Sequence, residues 1–127
     1  MKVLIVEDEP LLLKAVSEKF ARNDIDTVEF SSGIDALNFI KHNKNKIPDI
    51  IWLDYYLPDL DGMGFMKAFK ELDYASKIPV VVVSNSVSDE HINTMLEMGV
   101  KRYILKAEYR LDELIKIFKN IVEDKIK

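Results

Sequence analysis

The sequence predicts an α/β fold in which a five-stranded parallel sheet is doubly wound, with helices on both faces. Two observations lead to this prediction. Short apolar runs, most of them rich in β-branched residues, occur five times along the 127 residues. A longer stretch with apolar residues at helical spacing follows each of these runs, and strict alternation of this kind indicates repeated βα units. Because βα crossovers are right-handed, the expected topology is a (βα)5 three-layer sandwich.

The first two βα units occupy the N-terminal third of the chain. VLIV at 3–6 is continuously apolar, as a strand covered on both faces should be. A helix is expected from Pro10 to about Arg22, since proline is favoured in a first helical turn. A shorter strand is predicted at 27–30, followed by an N-cap at Ser31 or Ser32. The apolar face of the second helix would contain Ala36, Leu37 and Ile40.

The central unit begins with IIWL at 50–53, which predicts the third strand. Pro58 and Gly62 indicate a loop, and a short helix is expected at about 64–71. The run PVVVV at 79–83 predicts the fourth strand.

The last two helices flank a short fifth strand, expected at YIL, residues 103–105. Ser88 is suited to cap the fourth helix, and Gly99 stands where that helix should end. The apolar residues of the fourth helix are Ile92, Met95 and Leu96, and those of the fifth are Leu111, Leu114, Ile115, Phe118, Ile121 and Val122.

Composition excludes several classes of protein. Hydrophobic residues make up 48% of the chain, so a sizeable core is expected, and the net charge of −4 argues against nucleic-acid binding through a broad basic surface. Without cysteine there is no thiolate metal site. No apolar run is long enough to cross a membrane, so we expect a cytoplasmic location. The length suits one domain, so we expect a single domain over 1–127 with no effector domain, unless the chain is a fragment of a longer protein.

Polar residues follow four of the predicted strands at the point where each strand ends. Glu7 and Asp8 come after the first strand, Asp54 after the third, Ser84 after the fourth and Lys106 after the fifth. Open α/β sheets bind ligands at the carboxyl ends of their strands, where the strand order reverses. In the order 2-1-3-4-5, strands one and three are neighbours and their three acids would converge in one crevice.

A convergence of carboxylates is costly unless a cation or a proton relieves it. Two carboxylates about 4 Å apart repel by roughly 4 kcal/mol at an effective dielectric near 20. Oxygen ligands without Cys or His favour Mg²⁺, with Mn²⁺ as a possible substitute. Lys106 adds a positive charge and Ser84 a hydroxyl donor, which completes the groups needed for phosphoryl transfer onto Asp54. Each residue alone has an ordinary structural explanation, and only their joint position at strand ends indicates a site.

Four motifs, VLIVEDEP, LDYYLPDLDG, VVVSNS and YILKA, resemble those of the receiver domains of bacterial two-component response regulators. The resemblance extends over essentially the whole chain. It implies that Asp54 is the phosphoacceptor and Asp8 a direct metal ligand. It also implies that Glu7 assists through a metal-bound water and that the backbone carbonyl of Tyr56 completes the protein's share of the metal ligands.

The resemblance further implies a switch. Ser84 would turn to bond a phosphoryl oxygen and Tyr103 would move inward behind it, which alters the face formed by the fourth helix, fifth strand and fifth helix. The expected phosphodonor is a sensor histidine kinase or a histidine phosphotransfer protein, and the output is contact with a downstream protein. Such a domain promotes its own phosphorylation and dephosphorylation and is not a multiple-turnover enzyme. Lys101 and Arg102 replace the acidic pair common in dimerising receivers, which favours a monomer or weak homodimer.

Three positions depart from the family pattern. Lys106 precedes Ala107, where the family usually has proline in a cis peptide, so this loop should be strained or differently built. Asn85 follows the switch hydroxyl, and Tyr55 and Tyr56 place aromatic bulk beyond the phosphoacceptor. Ala107 and Asn85 keep open a phosphorylation-independent pseudo-receiver, an interaction module of the same fold. A phosphatase acting on external substrates would need a second acid after Asp54. The two histidines, at 42 and 91, are interpreted as solvated helix residues.

Overall fold

Five parallel strands form a single sheet in the computed structural model, which describes residues 1–86 and 88–126. The strand order is β2-β1-β3-β4-β5, so the predicted doubly wound class and the order 2-1-3-4-5 are confirmed. The strands are β1 (Lys2–Val6), β2 (Asp26–Phe30), β3 (Ile50–Leu53), β4 (Val80–Ser84) and β5 (Arg102–Leu105).

One helix follows each strand, as predicted. The helices are α1 (Pro10–Arg22), α2 (Gly33–His42), α3 (Gly62–Phe69), α4 (Asp89–Glu97) and α5 (Leu111–Ile126). Short 3₁₀ turns at 44–46, 75–77 and 106–108 were not predicted, because three residues are too few to show helical periodicity. Within the part of the chain that the structure describes, no helix is both long enough and apolar enough to cross a membrane.

The central strands β1, β3 and β4 contribute to two separate cores, which explains their continuous apolar runs. Val3 and Ile5 of β1 pack with α1 and α5, whereas Leu4 and Val6 pack with α2, α3 and α4 on the other face. Successive strand residues point to opposite faces, so a strand covered on both sides must be apolar at every position. On the α1–α5 face Trp52 stacks on Phe118, with 5.4 Å between ring centroids and 29° between planes.

Side-chain caps fix the starts of α2 and α4. The hydroxyl of Ser32 accepts from Asp35 N at α2, and that of Ser88 accepts from His91 N at α4, as the sequence indicated. Asp59 also caps α2 from a distant loop, since its carboxylate accepts from Ser32 Oγ at 2.7 Å and Ile34 N at 2.9 Å. These bonds attach the β3–α3 loop firmly to α2.

The start of α3 differs from the prediction. The helix begins at Gly62 rather than near residue 64, because the Asp61 carboxylate accepts from Gly64 N at 2.8 Å and caps an earlier turn. Gly62 had been interpreted only as a loop residue. It lies against the ring of Tyr55: a Cβ atom at position 62 would be 2.6 Å from Tyr55 Cδ2 and 3.1 Å from Met95 Cε.

We predict that Gly62→Ala lowers the free energy of unfolding by about 1–3 kcal/mol, because Tyr55 is buried and its ring cannot retreat. Gly64→Ala is the matched control in the same helix. Its new methyl would meet Leu60 Cδ1, the end of a half-buried side chain that can rotate, so the net change should stay within about 1 kcal/mol. Urea unfolding followed by circular dichroism measures both. Equal losses in the two variants would contradict this account of Gly62.

Candidate functional site

The ends of β1 and β3 bring three carboxylates together. Val6 of β1 is paired with Leu53 of β3, and Asp54 N donates to Val6 O at 3.0 Å, so the residues after each strand are adjacent. Oxygen atoms of Glu7, Asp8 and Asp54 all lie within 4.8 Å of one another. The predicted convergence of these acids is therefore present in the structure.

Burial differs sharply among the three acids. Glu7 is fully buried and Asp54 is 6% exposed, whereas Asp8 is open to solvent. Two ionised groups withdrawn from water require a compensating charge. Asp8 is therefore the acid of the cluster that water reaches, and Glu7 and Asp54 lie beneath it.

Lys106 supplies part of the compensating charge. Its Nζ atom lies 2.8 Å from Glu7 Oε1 and 3.6 Å from Asp54 Oδ2, so one half-buried ammonium contacts both buried acids. The Lys106–Ala107 peptide bond is trans, and Lys106 begins a 3₁₀ turn. The sequence left two alternatives for this loop, a strained cis peptide or a different construction, and the structure has the second. The lysine nevertheless reaches the position predicted for it.

One positive charge does not balance the cluster. Burial, and after it a shared hydrogen bond and charge repulsion with the neighbouring Glu7, raise the pKa of Asp54 to about 7. Lys106 and the Tyr56 N–H act in the opposite direction but only in part. Near neutral pH, either a proton or a cation at the site would relieve the excess negative charge. An oxygen-only set with excess negative charge suits a hard divalent ion such as Mg²⁺.

Tyr56 contacts the cluster through its backbone. Its N–H donates to Asp54 Oδ1 at 3.2 Å, and the residue forms an isolated antiparallel bridge with Asp61. Its side chain is 49% exposed at the edge of the site. The role of the Tyr56 carbonyl as a metal ligand stays a prediction.

Ser84 and Tyr103 share one hydrogen-bond acceptor. The buried Ser84 hydroxyl donates to the carbonyl of Ser86 at 3.0 Å, and the Tyr103 hydroxyl donates to the same oxygen at 3.4 Å. Sequence reasoning missed Ser86, since a backbone acceptor has no side-chain signature. Asn85 is exposed in the same loop. The two predicted switch residues are thus joined through one loop carbonyl.

The interpretation of His91 as a solvated residue is wrong. Its ring is half-buried and stacks on Tyr55, with 4.9 Å between centroids and 18° between planes. Nothing local in the sequence indicates this contact, because it joins α4 to the residue after Asp54. His42, by contrast, is exposed at the end of α2 as expected.

Comparison with known proteins agrees with the resemblance seen in the sequence motifs. The model of the family described as the response regulator receiver domain matches residues 3–119. The uncharacterized transcriptional regulatory protein YhcZ of Bacillus subtilis strain 168 is 30% identical over 118 residues, which cover 91% of this chain. The chain spans only 52% of that relative's length.

Two solved structures are similar over nearly the whole chain. The Francisella response regulator 1452 receiver domain has a TM-score of 0.82 and 31% identity, with 99% of this chain and 98% of the other covered. The manganese-bound form of the response regulator Rcp1 has a TM-score of 0.77 and 27% identity, covering 94% and 90% of the two chains.

The raised pKa of Asp54 predicts a pH-dependent stability in the metal-free protein. The pKa is 3.8 when the group is unperturbed and about 7 in the folded chain, so the folded state binds the proton more tightly. The resulting stabilisation is complete below pH 3.8 and is lost as the pH rises through about 7. Relative to Asp54→Asn, the unsubstituted chain should lose roughly 2 kcal/mol of unfolding free energy between pH 5 and pH 8.

Urea unfolding in the presence of a chelator, at several pH values, measures this difference. Titrations of carboxylates outside the Glu7–Asp8–Asp54 cluster largely cancel between the two proteins. A difference that stays constant from pH 5 to pH 8 would contradict the raised pKa.

Proposed function

The chain belongs to the response regulator receiver domain family, and on this premise we propose that it accepts a phosphoryl group on Asp54 in a two-component phosphorelay. The observation that carries the proposal is the convergence of Glu7, Asp8 and Asp54 with Lys106 at the carboxyl end of the sheet. This arrangement unites a nucleophilic carboxylate, an oxygen-rich cation site and a fixed positive charge. Those are the groups that phosphoryl transfer requires.

The cation would be Mg²⁺, or Mn²⁺ in its place. Asp8, Asp54 and the carbonyl of Tyr56 would hold it directly, and Glu7 through a water molecule. The fit rests on the oxygen-only donors and on the charge that Lys106 leaves uncompensated. When bound, the ion neutralises charge on the phosphoryl oxygens and keeps Asp54 ionised. The manganese-bound form of Rcp1, 27% identical to this chain, supports the assignment.

Four side chains of the chain would have separate roles in the transfer. An Asp54 oxygen attacks phosphorus, so that a new O–P bond forms while the N–P bond of a phosphohistidine donor breaks and its imidazole leaves. Lys106 contacts Asp54 Oδ2 and is positioned to stabilise negative charge that develops on the phosphoryl oxygens. Ser84 would leave the Ser86 carbonyl to donate to a phosphoryl oxygen. Tyr103, which donates to the same carbonyl, would respond to that exchange.

Receiver domains of this family interact with kinases and with output domains. We propose a sensor histidine kinase or histidine phosphotransfer protein as donor, and a downstream protein that recognises the face of α4, β5 and α5. The chain would act in the cytoplasm, as a monomer or weak homodimer. It would promote phosphorylation and dephosphorylation of its own Asp54 without turning over external substrates.

The placement of Lys106 supports this proposal over the pseudo-receiver alternative. Replacement of the family proline by Ala107 would favour the alternative if it withdrew the lysine from the acids. With the trans bond, Nζ still lies within ion-pair distance of Glu7 and Asp54. The departure therefore alters the loop but leaves the Lys106 ammonium beside both acids.

We expect incubation with Mg²⁺ and acetyl phosphate or phosphoramidate to add one phosphoryl group, detected by intact mass. Asp54→Asn should abolish the gain, because it removes the attacking oxygen. Asp73→Asn, a matched change of an exposed aspartate, should leave the gain unchanged. An unchanged mass with both donors and with a phosphorylated histidine phosphotransfer protein would contradict the proposal.

Trp52 offers a separate test of the cation site. It is fully buried two residues before Asp54, so we expect its fluorescence to respond to added Mg²⁺ and to recover when a chelator is added. Asp8→Ala should weaken the apparent affinity by about tenfold or more, since a charged ligand is lost. Asp26→Ala, at the exposed start of β2, is the control and should match the unsubstituted chain. Identical titrations for Asp8→Ala would count against the site.

A further inference from the structure

Tyr55 lies between the phosphoacceptor and the fourth helix. It follows Asp54 directly, is 3% exposed, and stacks in parallel on His91 of α4. Its ring centroid is also 6.3 Å from that of Tyr103, at a tilt of 40°. One buried phenol ring thus contacts both the proposed switch tyrosine and α4.

Helix α4 has few other anchors. Met95 is its one fully buried residue, whereas α3 buries four although it is one residue shorter. Met95 also packs beside Tyr55, since both reach the space that a side chain at Gly62 would occupy. Tyr55 therefore contacts α4 at two places, at His91 in its first turn and at Met95 one turn further on.

The backbone provides a route from Asp54 to this stack. The Tyr56 N–H donates to Asp54 Oδ1, and Gly62 N donates to Tyr55 O at 2.7 Å. The peptide that joins Tyr55 and Tyr56 is consequently held by the carboxylate itself. If that carboxylate is modified, the hydrogen bond must change and the adjoining Tyr55 must adjust with it, because close-packed interiors transmit small displacements.

We propose that the Tyr55–His91 stack is a second link between Asp54 and α4, besides the one through Ser84 and Tyr103. His91 is the positioning residue at the helix end of this link, and the ring stack, rather than the imidazole nitrogens, is what acts. A modified Asp54 would then bias the position of α4 through contacts that differ between two states of the domain. The inference rests on the proposed phosphorylation of Asp54.

The test uses beryllofluoride with Mg²⁺, which mimics a phosphoryl group on an aspartate. Amide NMR spectra of the full chain separate binding of the mimic from the response of α4. Chemical-shift changes at residues 7, 8 and 54 report binding, and those at residues 91–97 report the response of α4. His91→Leu removes the stacking ring and His91→Phe retains one. Asn93→Leu, at an exposed position of α4, controls for a new apolar residue in this helix.

We expect His91→Leu to bind the mimic and to reduce the α4 shifts by about half or more, because a coupled pair loses its interaction when either member is removed. His91→Phe and Asn93→Leu should respond like the unsubstituted chain. Tyr55→Leu breaks the stack from the β3 side and should reproduce the reduction. Tyr55→Leu also tests the link if the substitutions at position 91 prevent folding.

Unchanged α4 shifts in His91→Leu and Tyr55→Leu would overturn the link while leaving phosphorylation of Asp54 intact. If His91→Phe reduces the α4 shifts as much as His91→Leu does, ring stacking is not what links the two, and the imidazole nitrogens are. Loss of binding in His91→Leu would also overturn the inference, since His91 would then act on the carboxylate site itself. If the unsubstituted chain does not bind the mimic, the proposed function fails and this inference fails with it.

Discussion

Repulsion among buried carboxylates is the constraint on which the site depends. Parallel pairing of β1 with β3 places Glu7 and Asp54 side by side at the carboxyl end of the sheet, and the apolar strands beneath them exclude water. Lys106 compensates for part of this charge, yet burial and the neighbouring Glu7 still raise the pKa of Asp54 to about 7. A cation or a proton bound at this position would relieve the remaining repulsion.

The sheet accounts for the precision of the site. Most of the proposed site residues lie at or just beyond the carboxyl end of a strand, and the central strands β1, β3 and β4 are buried on both faces between the two cores. Because such interiors deform little, the acids cannot move apart to relieve their repulsion. The stability of the two cores thus offsets the cost of the charged cluster.

Much of this could be predicted from the sequence. Strand runs, caps at Ser32 and Ser88, and the acids at strand ends follow from local patterns, and strand order then determines which acids meet. The earlier start of α3 could not be recognised, because Asp61 looked like one of several loop acids. The Tyr55–His91 stack was also hidden, since it joins residues 36 positions apart with no shared periodicity.

The two aspartates of the β3–α3 loop have one further consequence. Asp59 joins that loop to α2 and Asp61 caps α3 from within it, so the segment after Asp54 is held on one side by hydrogen bonds to two helices. On the other side, Tyr55 meets α4 through side-chain packing, with the ring of His91 and with Met95, the fully buried residue of that helix. Hydrogen bonds fix both distance and angle, whereas apolar packing is non-directional, so the two sides of Asp54 are fixed by different kinds of contact.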